Sequence, residues 1–519
     1  VVGKKPSPFA IRNIQIRSTG QNFDGIFVAG GDYSVTNAKI SLSGNGRSDF
    51  IGYGAAVVAR GENTRLVVDN ARIVNKGVVR AAVVADAGSN VIVKDSYIQT
   101  NNGVLPADYV PTIDTTQMRS VPWMLALSGN VRATNLLGTN TKASYINSYI
   151  GSEGWGVLST DGCTTPTLTA INSTIAITGQ DGYGSYGIGD ATENFLGCTF
   201  NVATYATISR GSFLYYGDSD PAAVKALNDD LDLGLTAKEL KAIPSKPTVV
   251  NSGRFGIMWH GGGTLDVTGG TIFNTKETTF LDKGQAITIT VDGSKGVKLN
   301  PGNGVIMQLM DDDDPGPNFE TMENTNVYHE PTFPPAKIAG WDLTSAGGAA
   351  VATFSHIALA GDFFNSLTSI TPMGPPPGPG APPGPPPSPI GKNMVLTFND
   401  STLVGVISAS EAHHSIVDIY PPMEPGHELD YKQLGKVTNS AHAAINNGVV
   451  VTLNGTAWTV DGTCHLTKLV WDKKSSITAP AGHTLAMTVD PDFDGPAAAA
   501  PVTLGAEGNY VGYITITIS

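Results

Sequence analysis

Two aspartates and a histidine, Asp161, Asp190 and His260, have the types and spacing for acid and base chemistry. Each closes a short apolar run: Asp161 in "GWGVLSTDG" at 154–162, Asp190 in "GSYGIGDATEN" at 184–194, and His260 in "GRFGIMWHGGG" at 253–263. Two carboxyl groups beside a glycosidic bond divide the work of hydrolysis, one protonating the leaving oxygen and the other attacking or activating water. A separation of ~5–5.5 Å favours retention, and a longer one favours inversion. His260 would position a substrate or tune a carboxylate. Aromatic residues stand near the starts of related runs, at Trp123, Trp155, Tyr186 and Phe255, and Arg210 ends another. Aromatic faces cover the CH faces of sugars and Arg210 suits an acidic sugar, so these five are the expected substrate-binding residues. Core packing for the aromatics and turn formation for the Asp-Gly pairs are the competing roles.

Such a site exists only if the runs that carry it stack in register. Related runs appear at 23–31 ("FDGIFVAGG"), 52–61 ("GYGAAVVARG"), 79–88 ("VRAAVVADAG"), 121–130 ("VPWMLALSGN") and 203–211 ("ATYATISRG"). Their centres often recur after roughly 26 to 32 residues, with longer intervals where loops are inserted, an irregular solenoid period. A second alternating segment follows each copy, as in "TRLVVDNARI", "NVIVKDSYI" and "PTLTAINSTI", with Val, Ile and Leu directed to one face and Asn or Asp at the bend. Stacked coils would bury the apolar face continuously and place aligned residues ~4.8 Å apart, which makes a longitudinal groove suited to an extended polysaccharide. The pattern predicts an all-β parallel β-helix.

This organisation resembles the right-handed parallel β-helices of the pectin-lyase-like superfamily, known from pectinolytic enzymes, phage tailspikes and bacterial surface passengers. The resemblance covers most of 10–310 and 391–519. The paired acidic motifs and Gly-His-Gly of a polygalacturonase are absent, as is a pectate-lyase signature, so no individual family is singled out. Hydrolysis of a polysaccharide is the first functional expectation. A non-enzymatic surface protein or adhesin that binds a cell-surface glycan is the second, and a uronate-polysaccharide lyase using Arg210 and His260 is the third.

The expected layout is a main β-helix over 1–370, a Pro/Gly-rich loop or linker at 371–390, and β-solenoid coils, continuing or docked, over 391–519. Insertions fall near 218–246, where Asp220-Pro221 signals one or two short helices covering a cleft or capping side chains, and near 311–336. Within the latter, Asp311, Asp312 and Asp314, together with Asp313, suggest either a structural calcium site or a solvated acidic loop. His413 and His414 with Glu411 and Asp418 raise zinc, without a His-Glu-x-x-His pattern to support it. The expected chemistry requires no cofactor.

Composition narrows the partners. The chain has 519 residues, of which 41% are hydrophobic, only 15% are charged and 61 are Gly, a balance suited to short strands and polar turns. A net charge of −13 argues against nucleic acid and anionic bilayers, and no apolar run is long enough to span a membrane. Low charge and Asn/Thr-rich repeats point to a secreted or cell-surface setting. The opening "VVGKKPSPFAIRNIQI" lacks a signal-peptide pattern, as in a processed product or fragment. The three cysteines do not form a disulfide framework, although Cys163 and Cys198 could meet on successive coils.

Overall fold

One left-handed corner in each coil sets the rhythm of the chain. Asn13, Asn37, Asn70, Asp95, Asn147 and Asn172 all have φ between 47° and 54°, a region that Asn and Asp enter more readily than other side chains. From Asn37 onward the corner is followed by a small residue, and from Ala71 these residues bond coil to coil. Ala71 N–H donates to Ser96 Oγ (3.0 Å), Ser96 N–H to Ser148 Oγ (3.1 Å) and Ser148 N–H to Ser173 Oγ (3.1 Å). The next two rungs are Cys198 and Thr248, whose Oγ1 accepts from Cys198 N–H.

The computed structural model describes residues 9–48, 51–107, 131–284, 286–314, 327–369, 391–420, 426–427, 429–493 and 499–519. The chain divides into two compact units, whose described residues run over 9–257 and 258–519. The fold is a right-handed parallel β-helix with short helical insertions.

In the first unit, one parallel sheet runs from Ala10–Arg12 through Ile26–Thr36, Val57–Asp69, Asn90–Lys94, Lys142–Ile146, Thr167–Ile171 and Thr192–Leu196 to Phe213–Gly217. A second runs from Gln15–Ser18 through Lys39–Ser43, Arg72–Lys76, Tyr97–Asn101, Tyr149–Ser152, Thr174–Ile177 and Thr199–Val202 to Val249–Ser252. A third contains Gly156–Ser159, Tyr183–Ile188 and Tyr205–Arg210. Register carries one inward position of the first sheet through Val35, Val68, Val93, Tyr145, Ala170, Phe195 and Tyr216, all buried. Small Ala170 sits between the rings of Tyr145 and Phe195, whereas Phe195 and Tyr216 pack ring against ring with centres 4.9 Å apart. Full burial of each large apolar side chain contributes about 1.5–3 kcal/mol.

Val83–Asp86 pairs on one side with Val57–Asp69 and on the other with Thr134–Leu136. The expected run at 121–130, with Trp123, lies outside the described residues. The insertion at 218–246 forms helices α1 (Pro221–Leu231) and α2 (Ala237–Ala242). Asp220 caps α1 with Pro221 at its first position, and Thr236 with Glu239 closes a capping box on α2. Val224 and Leu233, Leu235 and Ile243 beyond it pack on Ile92, Ile146, Ile171 and Leu196, so the insertion covers an apolar face of the first sheet.

In the second unit, parallel pairing links Gly263–Val267, Ile287–Asp292, Ala350–Ser355, Met394–Asn399, Val449–Asn454 and Cys464–Trp471. A neighbouring sheet contains Phe280–Asp282, Val305–Leu309, Asp362–Ser366 and Ile407–His413. A smaller one contains Ala358–Ala360, Thr402–Val404, Ala457–Thr459 and Ser476–Thr478. Antiparallel strands then end the stack: Gly508–Ile518 pairs with both Cys464–Trp471 and Leu485–Asp490. The Pro/Gly-rich 371–390 lies outside the described residues. Cys163, Cys198 and Cys464 are free and buried, so Cys163 and Cys198 are not joined. No described helix is long and apolar enough to cross a membrane.

Candidate functional site

Trp155 and Asp161 meet at a third residue, Arg132. This arginine is fully buried; both of its terminal nitrogens lie 3.2 Å from Asp161 Oδ2, and Nη1 also donates to Ser159 Oγ at 2.7 Å. Its guanidinium sits 3.9 Å from the centre of the Trp155 ring. Trp155 has a left-handed φ of 53°, unusual for an aromatic residue, and the cation over its ring accompanies that conformation. The two ends of "GWGVLSTDG" therefore brace one buried cation, a contact that no local motif announced. Tyr186 is aligned with Ser159 on the next coil, and burial, reinforced by the Asp161 charge, raises its phenol pKa above the ordinary value.

Asp190 occupies a separate exposed corner with φ 59°, where the preceding Gly189 carbonyl accepts from Thr165 N–H. Its carboxylate approaches Gly211 on the following coil, whereas that of Asp161 turns back to Arg132. Arg210 is exposed at a strand end aligned with Ile188. Phe255 is fully buried and stacks on Tyr205 with ring centres 5.5 Å apart, which makes it a core residue with no face open to a ligand.

Among the described residues, a dense assembly of ionisable groups lies in the second unit and contains His260. Its Nε2 is 3.1 Å from Asp314 Oδ2, and its Nδ1 is 3.5 Å from Asp312 Oδ2. Behind them Lys283 Nζ contacts Asp314 Oδ1 at 2.8 Å and also pairs with Asp313, while Asp313 Oδ2 accepts from His414 Nε2 (2.8 Å) and from Gly435 N–H. Lys283 and Asp313 are fully buried. Asp312, Asp314 and His260 retain 37%, 30% and 23% of their side-chain exposure, so one edge of the network faces solvent.

Strand ends explain the convergence. Lys283 follows the strand Phe280–Asp282, and the four aspartates follow Val305–Leu309, its partner in register. Asp282 itself is buried against Lys392 Nζ at 3.3 Å, and that ammonium also donates to Gly284 O at 2.6 Å.

Burial alone would discharge the His260 imidazolium, but the carboxylates of Asp314 and Asp312 outweigh it and hold its pKa above the ordinary value. For Asp312, burial is likewise overcome, first by the His260 hydrogen-bonding interaction, and its pKa is lowered. Asp313 is lowered against strong burial by Lys283 and His414. Asp311 differs. It accepts from Ser369 N–H at 2.6 Å, and burial raises its pKa.

The Asp311–Asp314 loop is thus not a uniformly solvated acidic run, because Asp313 is fully buried in ion pairs. Nor do Asp311, Asp312 and Asp314 form one ligand set. Ligand atoms of His260, Asp312 and Asp314 do lie within 4.8 Å of one another. Calcium takes six to eight oxygen ligands, whereas this group has one nitrogen and a carboxylate already bound to Lys283, which fits a protonated imidazole better. The zinc quartet is likewise dispersed: His413 pairs with Glu411, His414 with Asp313, and Asp418 with His329. Lys283 and Asp313 could have been suspected from "FLDKG" and "DDDD" only once both were assigned to adjacent strand ends, and Lys392 lies in neither stretch. The sequence matches no protein-family model and no curated protein in comparisons with known proteins.

Proposed function

We propose that the protein hydrolyses glycosidic bonds in an extended polysaccharide, with His260 as proton donor and Asp312 as base. The observation that carries this reading is the asymmetric seat of the imidazole at the solvent edge. Asp314, fixed by Lys283, holds Nε2 at 3.1 Å, while Nδ1 is 3.5 Å from Asp312, too long for a strong hydrogen bond. A glycosidic oxygen that displaces the Asp312 carboxylate from Nδ1 would take the Nδ1 proton as its bond to the anomeric carbon breaks. Asp312, kept ionised and swung away from its 3.5 Å resting contact to the ~6.5–9.5 Å separation that admits a water, would accept a proton from that water, whose oxygen forms the new bond. Parallel coils supply an extended surface for the rest of the chain.

The test is release of new reducing ends from a panel of neutral and uronate polysaccharides. D312N should lower turnover by at least about 10²-fold, while D190N stays within a few-fold of the parent. Turnover should also fall as pH rises past the elevated pKa of His260, which removes the donor, and as acid protonates Asp312. Loss of turnover in D190N with none in D312N would return the chemistry to the Asp161 and Asp190 carboxylates. Binding across the panel without cleavage would favour a surface glycan-binding protein. A lyase is less well supported, because the nearest lysine, Lys283, is committed to two carboxylates. A secreted or cell-surface setting accompanies this proposal.

A further inference from the structure

The asparagine corners of the first unit form a bonded ladder with one defect. Asn37 Nδ2 donates to Asn13 Oδ1 at 3.0 Å and Asn70 Nδ2 to Asn37 Oδ1 at 2.7 Å; beyond the gap, Asn172 Nδ2 donates to Asn147 Oδ1 at 2.7 Å. The intervening corner is Asp95, whose backbone follows the same path, Asn70 N–H donating to Lys94 O and Asp95 N–H to Ile146 O. A carboxylate has no N–H to give, so the next rung after Asn70 Oδ1 is an acceptor facing an acceptor. A ligand hydroxyl could supply the missing donor.

A groove of about 610 Å³ opens beside this defect, and its wall includes Lys39, Arg72, Tyr97 and Tyr149. These four occupy one register position on successive coils, ~4.8 Å apart. The Arg72 guanidinium lies 4.3 Å from the centre of the Tyr97 ring, and Tyr97 stacks on Tyr149 at 4.9 Å with ring planes 7° apart. Stacking orients the guanidinium without using its in-plane N–H groups, which suits bidentate binding of a carboxylate. Lys39 and Arg72 are exposed, and neither forms an ion pair among the described residues.

We propose that this groove binds an acidic polysaccharide. Uronate carboxylates sit on Lys39 and Arg72, and sugar hydroxyls bridge Asn70 and Asp95 beside the tyrosine edges. Cations and acceptors alternate here across the groove, which matches a sugar acid better than a bare anion that Asp95 would repel. With a net charge of −13, the protein as a whole opposes polyanions, so attraction must come from this local column.

The experiment is calorimetric titration of the full chain with a polygalacturonate dodecamer and, in parallel, a neutral cello-oligosaccharide. The parent should bind the acid and not the neutral chain, R72Q should bind at least tenfold more weakly, and added salt should weaken the parent more than R72Q. Equal binding by R72Q and parent, or equal binding of acid and neutral chains, overturns the proposal. The inference is independent of cleavage: its test is the difference in binding between the parent and R72Q, whatever the turnover of D312N.

Discussion

A buried carboxylic acid gives the clearest single-residue consequence of solenoid packing. Glu193 sits inside the first unit with Ser185 Oγ donating to its Oε2 at 2.8 Å, and burial pushes its pKa up to about 8 despite that bond. Folding therefore keeps a proton that the unfolded chain releases above its ordinary 4.5. Stability should be unaffected by this group below the unfolded value, decline as pH rises between the two values and level off above the folded one. The full effect is on the order of 4–5 kcal/mol at 1.36 kcal/mol per unit. E193Q, which keeps the acceptor for Ser185 without a titrating proton, should melt close to the parent near pH 4 and several degrees above it at pH 9. Scanning calorimetry at the two pH values checks this, and an unchanged difference between them would show that Glu193 is not the protonated group. Residue roles were the least legible part of the sequence. Asp161 could be read as an acid, but its partner Arg132 lies 29 positions away in a segment with no motif of its own.

Whole elements were much easier to read, because the coil period repeats a physical demand. An apolar strand, a left-handed Asn corner and a small buried residue recur together, and Asp220-Pro221 marks the helix that interrupts them. What alternation could not supply was the register of loop against strand, which decides that Asp312 rather than Asp190 stands beside His260. The ladder defect gives a prediction at this level. D95N provides the missing donor toward Asn70 Oδ1 and removes a charge beside an acceptor, so it should stabilise the first unit by about 0.5–1.5 kcal/mol. N147A, which removes the acceptor used by Asn172 Nδ2, should have the opposite sign. Denaturant midpoints for the two variants and the parent measure both effects; D95N at or below the parent would mean that Asp95 is already satisfied by solvent.

At the scale of the molecule, the physical problem of a parallel solenoid is its ends, since the last coil presents an unpaired strand edge and an open core. The second unit meets this by reversing direction. The antiparallel strands Leu485–Asp490 and Gly508–Ile518 close over Cys464–Trp471, the last parallel strand of its largest sheet, and bury Met487, Ile514 and Ile516. Trp471 stacks on Tyr510 with ring centres 5.7 Å apart, and Gly508 is held so close that an added Cβ would lie 2.1 Å from the tryptophan ring. Ending the chain after His483 strips away this cover and leaves the Cys464–Trp471 backbone groups free to pair with another molecule. The shortened protein should therefore sediment as concentration-dependent oligomers under conditions where the full chain does not change in size. G508V is the milder form of the experiment, because it displaces Trp471 without removing a strand, and its overpacking should cost about 1–3 kcal/mol. It should show partial association together with a lower melting temperature. If the shortened chain keeps the sedimentation behaviour of the full one, the antiparallel strands serve local stability alone, and protection of the edge must come from the charge and twist of the strand itself.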